Sequence, residues 1–293
     1  MPRSIGVAAS RHLWSGVVDA TSLGAVRIYP EPGGPPVDLK SVPADQILDI
    51  LQAQILGLAE GGAVDSVGAG IPGIVRCGVV EESPNLAQMK GVHIADELRA
   101  RLKAGGLDVP VLAVNDADAL AAGIAGTRDT LDRTVRVWYL GDGIGFGRYP
   151  HTDGVWEAGH TVVTLDPKER YCGCGGVGHL EGIMGHRAMR LRFLDMEPEE
   201  VFAAARQGSR REREFCVMWH RALAAATATS VHWDGPGRFY IAGPNADFVD
   251  LPMLDGFMHE MVAMSPLQGS NFEIVQTSHD LALIGAAVLS RPQ

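Results

Sequence analysis

Apolar and polar positions recur with two different periods along this chain, and the switches between them predict its elements. Three short runs at the start, "SIGVAAS", "HLWSGVVDA" and "GAVRIYP", read as strands separated by tight connections. "YPEPGGPPVDLKSVP" is a loop by its proline and glycine content. From 44 to 60, Ile47, Leu51, Ile55 and Leu58 fall on one helical face. "DSVGAGI" and "GIVRCGVV" predict strands, and "HIADELRARLKAGG" predicts a helix that stops at glycine. "PVLAVN" is a buried strand leading into the helix "DADALAAGIAG". The pattern then restarts. "TVRVWYL" and "GIGFGRYP" pair as strands, and helices dominate from 181 to about 231. "RFYIAG" is a strand, "LPMLDGFMHEMVAM" a helix, "FEIVQT" a strand and "HDLALIGAAVLS" a closing helix. The helix over 211–229 has an apolar face too broad to separate core from interface.

Strands alternating with helices in two successive blocks, after an antiparallel meander, predict an α/β protein of two domains. The first is expected over 1–117, joined by the terminal helix 279–293, and the second over 118–278. The hinge falls near Asp116, and a ligand is expected in the cleft between the domains.

Composition narrows the function classes. The chain has 293 residues and a formal net charge of −10, which argues against nucleic acid as a partner. The run "RQGSRRERE" at 206–214 is a solvated helix face. The N-terminus has no signal-peptide core, and no run of ~20 apolar residues occurs, so no membrane partner and a cytoplasmic location are expected. The four cysteines are then reduced thiols or metal ligands. Cys77 and Cys216 fall on a strand and a helix and are expected to be packed.

Two of the four stand in "CGCGGVGHLE" at 172–181. Glycine-rich turns fold tightly round a metal, and thiolates bind zinc strongly. Cys172, Cys174 and His179 supply three ligands on one loop, and His160 in "WEAGHTVVTLDP" is the nearest upstream fourth. The competing reading is a flexible turn with two free thiols; histidine on both sides favours structural Zn²⁺.

"EAGH" followed by "CGCGGVGHLE" resembles the zinc-binding motif of the ROK family (repressors, open reading frames, sugar kinases), with His179 where that motif has a third cysteine. "GAGIPGIV", "ESPNL", "VNDADALAAG", "YLGDGIGFG" and "LALIGAAVL" fall in the family's order along the chain. The resemblance implies the two-domain, actin-like sugar-kinase fold with an interdomain cleft. It also implies phosphoryl transfer from ATP, with Mg²⁺, to a sugar hydroxyl. The family's base corresponds to Asp116, and Asn85, Asn115, Asp116, Glu157, His160 and Glu181 would bind the hydroxyls of a hexose, amino sugar or cyclitol. His160 would place one ring nitrogen on zinc and the other toward the sugar. A carboxylate at a helix N-terminus is held in its charged form, although the same position also suits an N-cap. Family members are often dimers or tetramers, so a homo-oligomer is expected.

The donor side departs from the family. Its first phosphate hairpin reads D-x-G-G-T; the stretch here, "AASRH", has no Asp, Gly-Gly or Thr. The second, normally G-T-G-I-G-G-G, is "GDGIGFG", keeping Gly141, Gly143 and Gly145 but with Asp142 for Thr and Phe146 for Gly. A carboxylate ~4 Å from a phosphate charge is repelled by about 4 kcal/mol at an effective dielectric of ~20. "IAGPNAD" places Pro244 in the adenosine-side turn and removes a backbone donor. Three readings follow. The first is a sugar kinase with an altered donor site, in which Asp142 organises the cation and Arg11 or His12 neutralises phosphate. The second is an ATP-independent enzyme on a sugar or cyclitol, with Asp116 and Asp142 facing each other as an acid–base pair for hydrolysis, isomerisation or dehydration. The third is a sugar sensor; the chain opens on its first strand, leaving no room ahead of it for a DNA-binding domain.

Overall fold

The computed structural model describes residues 2–276 and 278–291. The chain forms two compact units: the described residues of Met1–Val135, Gly147–Val155 and Ser278–Gln293, and those of Arg136–Phe146 and Trp156–Thr277. The division differs from the expected 117/118 boundary, for a packing reason. Helix α3 (Asp116–Thr127) lies against the closing helix α9 (His279–Leu289) and against strand β4 (Ser66–Ile71), so it stays with the first unit.

The first unit is built on a five-stranded sheet. Strands β1 (Arg3–Ala9), β2 (Leu13–Asp19) and β3 (Ser22–Tyr29) form the expected antiparallel meander. β4 and β7 (Val111–Asn115) then add in parallel, giving the order β3-β2-β1-β4-β7. One face buries Ile5, Val7, Val67 and Ala69 beneath α1 (Ala44–Ala59) and α2 (Ile94–Ala104), whose Leu48, Leu51, Ile55 and Leu98 complete the core. On the other face the helices come closer. A Cβ on Gly6 or Gly68 would overlap the Leu283 or Ala286 carbonyl of α9, and one on Gly285 would overlap the Ala119 carbonyl of α3. A buried hydroxyl chain fastens the same helix: Ser4 Oγ lies 2.9 Å from Ser66 Oγ, which lies 2.8 Å from Ser290 Oγ.

The stretch "GIVRCGVV", read above as strand, is a hairpin of β5 (Ile74–Arg76) and β6 (Val79–Glu82). Its two turn residues, Cys77 at φ 49° and Gly78 at φ 75°, are both left-handed, the geometry of a tight hairpin turn. Cys77 is therefore exposed, not packed. Its Sγ donates to Asp153 Oδ2 (2.9 Å), and its N–H to Asp153 Oδ1 (3.1 Å).

The second unit carries a four-stranded sheet, order β11-β10-β8-β9, of β8 (Val135–Leu140), β9 (Ile144–Tyr149), β10 (Arg238–Ala242) and β11 (Asn271–Ile274). β10 runs parallel to both β8 and β11. Among the described residues this unit also holds five helices, α4 (Leu180–Met184), α5 (His186–Arg192), α6 (Pro198–Arg206) and α7 (Arg210–Asp234) between β9 and β10, and α8 (Leu251–Met261) between β10 and β11. The broad apolar face of α7 is core: Phe215, Trp219, Leu223 and Val231 pack with Trp138, Ile183, Val201 and Leu254. The Trp138 indole N–H donates to Thr227 Oγ1 across this core at 3.0 Å. Among the described residues no helix is long and apolar enough to cross a membrane.

Candidate functional site

In the first unit the acceptor residues gather round one turn. β7 ends at Asn115, whose Oδ1 accepts the Ala117 N–H (2.8 Å) and so caps α3. The capping role thus belongs to Asn115, and Asp116 is left as the first helical residue, half-buried. A side chain there stands at the positive end of the helix dipole. Asn115 Nδ2 donates to the Gly73 carbonyl (2.7 Å), in the turn between β4 and β5. Ser83 Oγ donates to the Pro72 carbonyl (2.6 Å) of the same turn and accepts the Leu86 N–H (3.3 Å), fixing the short loop on which Asn85 lies exposed.

Asp118 went unassigned in the sequence. It is 96% buried (4% exposed), accepts the Arg148 N–H at 2.9 Å and lies 3.3 Å from His151 Nδ1. The signal available was its place on the inner face of α3, where a charged residue needs partners. In the β1–β2 hairpin, Ser10, Arg11 and His12 make a tight turn closed by Ser10 N–H to His12 O (2.9 Å). Trp14 stacks on His279 with centroids 4.3 Å apart. The His279 imidazole is held below its ordinary pKa by burial first and then by His12.

In the second unit the remaining predicted residues converge. His160 Nδ1 lies 3.3 Å from Cys172 Sγ, Cys172 Sγ 3.3 Å from Cys174 Sγ, and Cys174 Sγ 3.3 Å from His179 Nδ1. All four donor atoms fall within 4.8 Å of one another. In a tetrahedral Zn²⁺ site, bonds of about 2.3 Å to sulfur and 2.0–2.1 Å to nitrogen give edges of about 3.5–3.8 Å. The cluster therefore has the size and the donor chemistry to enclose that ion after outward shifts of a few tenths of an ångström. The Gly176 N–H donates to Cys174 Sγ (3.3 Å). The Cys172 thiol is pushed up to about 12, by burial first; the Cys174 backbone N–H opposes this, and the Cys174 thiol and Glu181 add to it. The loop holds its own shape. Val162 bridges His179, Leu180 N–H bonds Thr161 O (2.9 Å), and Glu169 pairs with Arg192, whose guanidinium lies over Tyr171.

His160 Nε2 points the other way, 3.7 Å from Glu157 Oε2. The Glu157 side chain is 40% exposed, yet partial burial raises its carboxyl above the ordinary value; His160 opposes this and Glu181 adds to it. Glu181 lies in the first turn of α4 and has both oxygens engaged. Oε2 accepts the Ile144 N–H (3.1 Å), and Oε1 lies 3.4 Å from Cys172 Sγ.

The β8–β9 turn holds Gly141, Asp142 and Gly143, with Gly145 just inside β9. Asp142 is exposed. The Gly141 carbonyl accepts the His186 N–H (2.9 Å) and Asn245 Nδ2 (3.1 Å), and Asn245 Oδ1 in turn lies 3.2 Å from His186 Nδ1. Asn245 is 1% exposed, and its role in shaping this turn was hidden behind the proline that precedes it.

The pattern that defines the ROK family matches residues 39–293. A glucokinase of Pyrobaculum calidifontis is 29% identical over 81% of this chain and 82% of its own. The ROK hexokinase of Thermus thermophilus superposes with a TM-score of 0.80 at 20% identity, covering 98% of this chain and 97% of that one. A ROK glucokinase of Streptomyces griseus, solved with glucose and AMPPNP, gives a TM-score of 0.67 at 22% identity over 98% and 99% of the two chains.

Proposed function

The chain belongs to the ROK family, and from that premise we propose that it is a carbohydrate kinase transferring a phosphoryl group from ATP to a hydroxyl of a hexose, amino sugar or related polyol. The observation that carries this reading is the state of the acceptor residues. Asn115 is the cap of α3, and Asp116 follows it as the first helical residue, a carboxylate at a helix N-terminus suited to take a hydroxyl proton. Asn115 at the end of β7 and Asn85 on the loop that Ser83 fixes belong to the same unit as Asp116, and Glu157, His160 and Glu181 of the second unit would be the remaining hydroxyl-binding residues that the family resemblance implies. Zn²⁺ on His160, Cys172, Cys174 and His179 would be structural, fixing the loop that bears Glu157 and Glu181. Positioning of the hydroxyl supplies much of the rate in such transfers, and Mg²⁺ supplies charge neutralisation on the donor. The curated relative named a glucokinase supports the substrate class.

The experiment is direct: titrate Mg-ATP by calorimetry, then assay ADP release with a panel of hexoses and amino sugars. The reading fails if millimolar Mg-ATP neither binds nor yields ADP with any of them.

One observation favours a second reading, an ATP-independent enzyme on a sugar or cyclitol. The Ser10–Arg11–His12 turn has neither a carboxylate for a cation nor glycines for phosphate, and Asp142 adds a negative charge to the other phosphate turn. Asp142→Thr separates the two readings. In a kinase whose cation Asp142 organises it should weaken Mg-ATP binding, whereas in an acid–base enzyme that uses Asp142 it should abolish ATP-independent turnover.

A further inference from the structure

Ile144, the residue that closes the glycine turn, is gripped on both sides of its backbone by segments that carry the histidine–cysteine cluster. Its N–H donates to Glu181 Oε2 at 3.1 Å. Its carbonyl lies so close to Gly159 that any Cβ there would overlap the oxygen. Gly159 is the neighbour of His160. Glu181 lies two residues beyond His179, and its other oxygen is 3.4 Å from Cys172 Sγ. A Cβ on Gly143 would stand 2.5 Å from Glu181 Oε2, so the turn has glycine where the carboxylate must approach.

Three of the four cluster residues thus adjoin or touch a group that grips Ile144. An ion bonded to both His160 and His179 fixes Gly159 and Glu181 relative to one another, and so fixes the peptide between them. Without the ion these segments are joined by the Val162–His179 bridge, by Leu180 N–H to Thr161 O (2.9 Å) and by Val163 N–H to Gly178 O (2.8 Å). All three engage residues on the far side of His160 from Gly159 in the chain, so the ion adds the link nearest the gripped peptide. β9 is the edge strand of its sheet, so less of the sheet's own hydrogen bonding holds the Ile144 end.

We propose that Glu181 is a positioning residue that couples the metal cluster to the Gly141–Ile144 turn, so that filling the cluster orders the turn. Metal occupancy then acts on the donor side of the site as well as on the sugar side. Coupling of this kind is reciprocal: a ligand that needs the ordered turn raises the affinity for metal by the same factor. That the turn's ligand is a nucleotide phosphate rests on the kinase reading; the coupling itself does not.

The test is amide hydrogen exchange at Ile144 in Zn²⁺-loaded and chelator-stripped full-length protein. Stripping is expected to speed exchange of the Ile144 amide by about tenfold or more, while the Trp138 amide in the middle of β8 changes little. Glu181→Ala should raise Ile144 exchange in the loaded protein to the stripped level, and stripping the variant should then add little, because the two perturbations remove one link. Gly143→Ala, which displaces the carboxylate by another route, should do the same and stands in if Glu181→Ala does not fold. Equal Ile144 exchange with and without Zn²⁺ overturns the proposal, and so does a protein that takes up no Zn²⁺. Full protection in a loaded Glu181→Ala protein would overturn the role of Glu181. If Mg-ATP fails to bind but Ile144 responds to Zn²⁺, the coupling stands and the kinase reading falls.

Discussion

Asp116 owes its candidacy as a base to its neighbour. Because Asn115 satisfies the Ala117 N–H at 2.8 Å, Asp116 has no capping duty, yet it still sits at the positive end of α3. Asp116→Asn keeps size and polarity and removes the proton acceptor. In the kinase, kcat should fall on the order of 10²–10⁴-fold with a much smaller change in KM, measured by steady-state ADP release across sugar concentration. At the cluster, His179 replaces the cysteine of the family's motif, and both residue types bind Zn²⁺ in tetrahedral sites. His179→Cys should therefore keep one Zn²⁺ per chain by elemental analysis, whereas His179→Ala should lower occupancy and the thermal midpoint. At this scale the sequence was most informative about the cluster: ligand spacing on one glycine-rich loop is a local property, and His160, Cys172, Cys174 and His179 meet within 4.8 Å. Glu181 was less legible. Its residue type pointed to hydroxyl binding, but its bond to Ile144 depends on how two separate segments pack.

Among the elements, α9 bears the closest approaches in the first unit. Gly285 meets the Ala119 carbonyl and Gly123 the Leu281 carbonyl, so α3 and α9 lie backbone against backbone. Gly285→Ala inserts a methyl where there is no space, and overpacking of this sort costs about 1–3 kcal/mol. Its higher helix propensity returns at most about 1 kcal/mol. The variant is expected to be destabilised, with a lower denaturation midpoint; a midpoint equal to the wild type's would show that the two helices can separate at little cost. Gly256 offers a control, since a Cβ on that α8 glycine meets nothing within 4 Å and alanine there should be neutral or stabilising. These contacts also explain what the hydrophobic pattern could and could not give. Period and capping signals located α3 and α9 as helices, because those are local. They could not say which sheet α3 covers, since that is decided by glycines far apart in sequence, and so the boundary was expected within the first turn of α3, at 117/118, and lies after the helix. Cys77 is the same lesson in miniature: β-branched neighbours read as a strand, and two left-handed residues made a turn.

At the scale of the whole molecule, acid sensitivity comes from histidines kept neutral in each unit. His220 is 2% exposed, its Nδ1 lies 2.7 Å from the Cys216 carbonyl, and its Nε2 accepts the Asp250 N–H at 2.8 Å. The second bond requires an unprotonated Nε2, so the neutral ring is satisfied on both sides, and burial above all holds its pKa below the ordinary value. His279 in the first unit is lowered as well, by burial and then by His12. For both, the unfolded chain takes its proton near pH 6.5, before the folded chain does, so acid favours unfolding. Their contribution is intact above about pH 6.5 and is lost as pH falls toward the folded values. For His220 the slope approaches about 1.4 kcal/mol per pH unit in that window. Glu157 works in the opposite direction, its raised pKa favouring the folded state on acidification, but only near the carboxylate range. Between pH 7.5 and 5.5 the histidines should prevail. Urea midpoints measured across that range at constant Zn²⁺ occupancy should fall with pH, because neither histidine belongs to the metal cluster. A flat midpoint would mean that His220 can be protonated in place, which the Asp250 N–H bond opposes.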